Sequence, residues 1–332
     1  MESTIASEGA LLSATSPKNR SQNATGGLLR RLGDRGVLVL KDVTTLISAD
    51  RNIRAQILAA LREIYDGRWT RNVGLDGGKT LTWTGRIVII GAVTTAWDMA
   101  HSVVAAMGDR FVCVRVNSKS DEFRKSIGMK AMENIGTETE MRAELANAVG
   151  GVVAGMCADE VTLTRDEMQQ ILDAANITTK ARTAVERDYK QEVVMAHDSE
   201  APTRLTKQLA QVVKGSIAIG MSRERAMELA IRCARDSIPP LRLEILLDVA
   251  MNPNAKPNQV RTRVQKPWNT IRRELQALHI IGLLSCEEET VQKDFKEKHV
   301  YKYSLADGFD YETLRAMVHW KKRNRMEKWK CD

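Results

Sequence analysis

The succession of apolar runs between Val37 and Arg115 constrains this chain more than any other feature. GVLVLKDVTTL opens with a β-type run, Val37 to Leu40, and ends in a polar step, Lys41-Asp42. RAQILAALREIYDG follows, with Ile57, Leu58, Leu61 and Ile64 at helical spacing and Gly67 as a stop. RWTRNVGLDGGKTLTWTG reads as a hairpin, two Trp- and Thr-bearing arms around Asp-Gly-Gly. A second buried strand, RIVIIGAVTT, runs out into Thr94 and Thr95, and Arg110 stands ahead of a third β-type run, FVCVRV. Strand, helix, hairpin, strand is the order expected of an α/β layer.

The hairpin Arg68–Gly85 carries Arg68, Trp69, Arg71, Lys79 and Trp83. Basic residues interleaved with aromatics can follow a phosphate backbone and stack on bases. Equally, Trp69 and Trp83 can pair across the strands as packing. Residues 1–25 are rich in Ser, Thr, Asn and Ala without periodicity and are expected to form a flexible segment. They show no basic region leading into an apolar one, so no secretory signal is expected.

From Ser120 to about Pro239 the pattern is helical. MRAELANAVGGVVAGM and LTRDEMQQILDAANI both have helix spacing, with Thr162 and Thr164 as caps for the second. EAPTRLTKQLAQVVKG opens another helix, in which Leu205, Leu209 and Val212 or Val213 share a face. Pro239-Pro240 marks a boundary. Beyond it come LRLEILLDVAMN, PNQVRTRVQ and KPWNTIRRELQALHIIG, three helices, the last with Ile271, Leu275, Leu278 and Ile281 on one stripe. LLSCEEET, a charged loop and VYKYSL then form a hairpin. That element order matches the winged-helix form of helix-turn-helix.

In such a module the third helix enters the major groove, offering Trp268, Asn269, Thr270, Arg272 and Arg273. The wing would bring Lys293, Lys296 and Lys298 to the DNA backbone. Winged helices also serve as protein–protein modules, and charge favours DNA. The chain carries a net charge of +8, and residues 257–330 hold 16 Lys and Arg against 10 Asp and Glu. The basic tail, YETLRAMVHWKKRNRMEKWKCD, fits a DNA arm, a membrane-surface helix or a packing helix. Five cysteines at wide spacing, without a CxxC, point to a reduced, cytoplasmic setting with no disulfide framework and no zinc site. His279 and Trp268 have no metal-ligand neighbours at suitable spacing. No apolar run approaches the ~20 residues needed to cross a membrane.

Taken together, the runs from Val37 to Arg115 resemble the second half of an AAA+ ATPase core: Walker B strand, helix, pre-sensor-1 hairpin, sensor-1 strand and arginine finger. Within that family the chain resembles in particular the phage-like and mobile-element AAA+ proteins that carry a C-terminal winged helix. Holliday-junction branch-migration motors look like more distant relatives. The resemblance covers about Gly26 to Asp307. It implies a partial AAA+ core with a parallel-sheet remnant at 26–118, a helical lid at 119–239, a winged helix at 240–307 and a basic tail at 308–332. By the same resemblance Asp42 is the Walker B carboxylate and a weak Mg²⁺ ligand, with Lys41 where the family has its usual Asp. The plainer reading of Asp42 is a strand-end cap with Thr44. Thr94 or Thr95 would be sensor 1, against the plainer reading of β-favouring residues at a strand end. Arg110 would be the finger that acts on a neighbour's γ-phosphate, and Arg204 the sensor 2 above the nucleotide. The hairpin would face the pore of a ring, and Arg182 and Arg187 remain unassigned.

What the family needs and this sequence lacks is a P-loop. GxxxxGK[ST] wraps the phosphates with backbone amides and presents a Lys to them. Gly78-Lys79-Thr80 is the sole GK[ST], with Val73 in place of the first Gly, and it precedes a strand where a P-loop must open a helix. In the family the P-loop lies several tens of residues before Walker B, ahead of Met1 here, so the resemblance implies a truncated or separately started product. The expected function is a DNA-binding AAA+ ATPase-like protein that cannot bind and hydrolyse ATP alone. It would act as a homo- or hetero-oligomer with AAA+ subunits, using ATP and Mg²⁺ only where a P-loop is supplied. The alternatives are an active motor completed by an upstream P-loop segment and a winged-helix transcriptional regulator.

Overall fold

A computed structural model of the chain describes residues 5–14, 26–74, 77–99, 110–116, 120–156, 161–293 and 296–323, with backbone alone at 99, 293, 296–298 and 319–323. Two compact units divide it, residues 1–109 and 110–332. The first is mixed α/β and the second mostly helical.

In the first unit, α1 (Glu8–Leu11) and α2 (Leu28–Leu32) precede β1 (Arg35–Leu40), α3 (Thr44–Ile47) and α4 (Arg51–Tyr65). The hairpin of β2 (Arg68–Val73) and β3 (Lys79–Thr84), then β4 (Arg86–Gly91) and α5 (Ala96–Met99), complete it. β1 and β4 pair in parallel from Arg35↔Arg86 to Leu40↔Gly91, with α4 and the hairpin forming the crossover. Asp50 caps α4, its carboxylate accepting from the Asn52 amide at 2.8 Å. The Ile57, Ala60, Leu61 and Ile64 face of α4 is buried against the hairpin and Ile87.

Trp69 and Trp83 face each other across β2 and β3 and are 3% and 7% exposed. The Trp83 indole N–H donates to the Gly33 carbonyl at 2.9 Å, so the pair is packing and offers no stacking platform. Residues 5–14 also depart from the expected flexible segment. Leu11 and Leu12 are fully buried, and the Leu12 carbonyl accepts from Arg71 at 2.8 Å. Gly27 lets this turn close: its φ of +113° disfavours a side chain, and a Cβ would lie 2.6 Å from the Leu11 carbonyl oxygen.

The second unit opens with residues 110–116. The third β-type run is not a strand, because its backbone is held by side chains. The Cys113 amide donates to Ser237 Oγ at 2.9 Å and the Arg115 amide to Asp236 Oδ2 at 2.9 Å. There follow α6 (Asp121–Glu133), α7 (Glu138–Ala154), α8 (Arg165–Ala181), the short hairpin of β5 (Val185–Arg187) and β6 (Val193–Ala196), α9 (Thr203–Ala218) and α10 (Arg223–Asp236). Thr164 starts α8 with a capping box: its hydroxyl accepts from the Glu167 amide, and Glu167 accepts from the Thr164 amide at 2.7 Å. α11 (Pro240–Met251) begins with Pro at N1, followed by α12 (Pro257–Val264), α13 (Trp268–Ile280), the hairpin of β7 (Leu284–Lys293) and β8 (Lys296–Leu305), and α14 (Tyr311–Arg323).

The main apolar core of this unit runs across Pro239-Pro240. Ile171, Leu205, Leu209, Ala230 and Cys233 on one side join Leu246, Val260, Ile271, Leu275, Leu278 and Tyr303 on the other. Leu314 and Met317 of α14 are fully buried in it, so of the three readings of the tail its first turns are packing helix. Among the described residues no helix is long and apolar enough to cross a membrane.

Candidate functional site

Two groups of expected site residues lie in the first unit, at the ends of neighbouring strands. Asp42 follows β1 and Thr94 follows β4; the Ala92 amide bonds Leu40 O at 3.0 Å and the Val43 amide bonds Ala92 O at 2.8 Å, which extends the pairing past both strands. Asp42 is exposed and accepts from the Thr44 amide at 2.8 Å and the Thr45 hydroxyl at 3.4 Å. Its hydrogen bonding to Thr44 holds the carboxyl below its ordinary value. The strand-end cap is therefore present, at a position that also faces the strand terminus. Thr94 and Thr95 are exposed and start α5: Thr94 Oγ1 accepts from the Ala96 amide at 3.3 Å, and the Thr95 carbonyl accepts from the Asp98 amide at 3.1 Å. Among the described residues no three His, Cys, Asp or Glu side chains gather where a metal could bind.

In the second unit, α9 carries Arg204 and also holds the backbone of Arg110. Gln208 Nε2 donates to the Arg110 carbonyl at 2.5 Å, and Arg204 stands one turn earlier on the same helix face. The Arg204 guanidinium pairs with Glu200, whose other oxygen is 3.8 Å from buried Arg182. Arg187 pairs with Glu274 of α13 at 2.5 Å. Glu274 also accepts from Arg242 at 3.1 Å, and Arg242, 5% exposed, donates to the carbonyls of Ala181 and Thr183. These bonds satisfy the C-terminal end of α8 and lock it to α13.

The remaining expected residues lie on and beside α13. Its Ile271, Leu275 and Leu278 stripe is buried, while Trp268 (40%) and Asn269 at its start are exposed. The β5–β6 hairpin packs on a neighbouring face, where Val185 and Val193 meet Ala277. Glu192, just before β6, takes both arginines. Arg272 donates to its carboxylate, and Arg273 Nε lies 3.6 Å from the same oxygen while Nη2 donates to the Lys190 carbonyl at 2.6 Å. The Arg272 hydrogen bond holds the Glu192 carboxyl below the usual glutamate value. This hairpin is not legible from sequence, because VER and VVMA are too short to show a period.

β7 and β8 pair antiparallel over ten residues each, from Leu284↔Leu305 to Lys293↔Lys296. A single bridge from Ala255 to Tyr303 ties β8 to the turn before α12. Lys302 pairs with Glu289 at 2.6 Å and His299 with Glu288 at 2.6 Å. The side chains of Lys293, Lys296 and Lys298 lie outside the described residues. No known protein family, curated protein or solved structure matches this chain.

Proposed function

We propose that the protein binds double-stranded DNA through α11, α12, α13 and the β7–β8 hairpin, acting as a winged helix, and that residues 26–118 are the Walker B to arginine-finger part of an AAA+-type core. The observation that carries the first part is the exposed N-terminal turn of α13, standing on a buried stripe beside a long charged hairpin. A helix presented in this way reaches base edges with its first residues. Trp268 and Asn269 are unburdened by the core and supply an apolar face and a paired donor and acceptor. The six-charge surplus of residues 257–330 supplies the salt-dependent attraction to phosphate.

The second part rests on the parallel β1–β4 pair with Asp42 and Thr94 at the same ends, and on Arg110 and Arg204 near one face of α9. ATP and Mg²⁺ belong to this reading only when a P-loop comes from outside these 332 residues, and oligomerisation with AAA+ subunits is part of it. Duplex binding by the full chain, followed by fluorescence anisotropy over a salt series, tests the first part. Replacing Trp268 and Asn269 together by Ala is expected to weaken binding about 10- to 100-fold with the fold intact. No duplex binding at low salt, or binding indifferent to that double change, would sink it. For the second part the purified chain is expected to show no ATP turnover of its own. Turnover that Asp42→Ala abolishes would overturn the view that the phosphate cradle lies elsewhere.

A further inference from the structure

α6 and α7 bury none of their residues, although both carry large apolar side chains. On α7 and just beyond it the exposed large apolar residues are Met141 (46%), Leu145 (65%), Val149 (53%), Val152 (50%), Val153 (55%) and Met156 (40%), with Ala148 among them. At 100° per residue Met141, Leu145, Ala148, Val149 and Val152 fall within about one third of the helix circumference, with Val153 to one side and Met156 just past the C-terminal end. Exposed apolar surface in one contiguous stripe marks an interaction site.

The stripe also reads the same in both directions. Positions 141, 145, 148, 149, 152 and 156 are separated by four, three, one, three and four residues. A two-fold axis between Ala148 and Val149 would set Met141 on Met156, Leu145 on Val152 and Ala148 on Val149 of another α7. Such a patch is complementary to itself, as a closed two-fold interface requires. Charge selects the same orientation. Glu138, Glu140 and Glu144 lie in the N-terminal half, whereas no charged residue occurs from Leu145 to Met156. Parallel helices would place glutamates beside glutamates; antiparallel ones place them beside an uncharged half. Arg142 then falls opposite Gly155 of the second helix, at a C-terminus where a cation is favourable.

We propose that α7 is a dimerisation helix, pairing antiparallel with α7 of a second copy of this chain about an axis at Ala148/Val149. The exposed apolar residues of this helix present roughly 600 Å², which is below the about 800 Å² per partner of a standard interface, so neighbouring surface has to complete the contact. Phe123, Ile127 and Ile135, on and just after α6 and also exposed, add to the surface available. The inference is independent of the DNA-binding reading.

Sedimentation of the full chain from about 0.1 to 100 µM is expected to show a monomer–dimer equilibrium. Leu145→Glu with Val152→Glu should raise the dissociation constant at least about 100-fold without loss of helical circular dichroism, because neither side chain touches the core. Register is tested separately. Mixing Leu145→Cys chains with Val152→Cys chains under mild oxidation should yield the 145–152 disulfide, mapped by peptide mass, in excess of either homodisulfide. A chain monomeric throughout that range, a dimer that survives the double Glu change, or homodisulfides in excess would each overturn the proposal. A monomer that instead binds anionic vesicles through this stripe would also overturn it.

Discussion

Glu192 stands between two arginines that a DNA-reading helix would otherwise direct at phosphate. Glu192→Gln removes the charge but keeps the shape. Duplex affinity is expected to rise several-fold, with a salt slope steeper by about one to two phosphate contacts. An unchanged or weaker complex would mean that Arg272 and Arg273 hold the β5–β6 hairpin and nothing else. Because the carboxyl is held below its ordinary value, this ion pair is fully present above the unfolded glutamate pKa, about 4.3, and is lost as pH falls through the lower folded value. The difference between wild type and Glu192→Gln should therefore be constant through neutral pH and vanish only in acid. Cys233 offers a second check. Burial pushes its thiol up to about 11, so at pH 8 it should resist iodoacetamide until the chain is unfolded, as peptide mass mapping would show. Residues of this kind were only partly legible. Arg272, Arg273 and Trp268 could be named because their helix was obvious, but their acidic partner lies some eighty positions away, and no local pattern announces such a pair.

Elements with a strong period were readable, and those held by side chains were not. The α4 face and the α13 stripe lie where their spacing puts them. FVCVRV has the composition of a strand, yet its amides are taken by Ser237 and Asp236, so tertiary hydrogen bonding overrode β propensity. Asp236, 5% exposed, also accepts from Arg235 at 2.7 Å and Arg232 at 3.4 Å. Asp236→Ala leaves those cations without their counter-charge and is expected to cost about 3 kcal/mol, measured by chemical denaturation. The β2–β3 hairpin gives the opposite lesson. Its aromatics invited a nucleic-acid reading, but Trp69 and Trp83 are internal, so Trp69→Ala should cost about 3–5 kcal/mol of the first unit's stability. A loss below about 1 kcal/mol by the same assay would contradict that assignment.

At the scale of the molecule the two units have separate cores, one around Ile57, Leu61 and Trp69, the other around Leu209, Leu246 and Leu275. Calorimetry is expected to resolve this. Leu61→Ala should shift one unfolding transition and Leu246→Ala another, each by about 2–5 kcal/mol. A common shift would show one cooperative body. The alternation of elements was visible from the sequence at this scale; the extent of each core was not, since Pro239-Pro240 looks like a seam and proves to be the start of a helix laid into a shared interior. That interior decides how the protein can be handled. A gene fragment starting at Pro240 would strip Leu205, Leu209 and Cys233 from the wall against which Leu246 and Leu275 rest, and the product would be sticky rather than a portable DNA reader. Any shorter version meant to keep α13 in shape has to begin upstream of α8, capping threonine included.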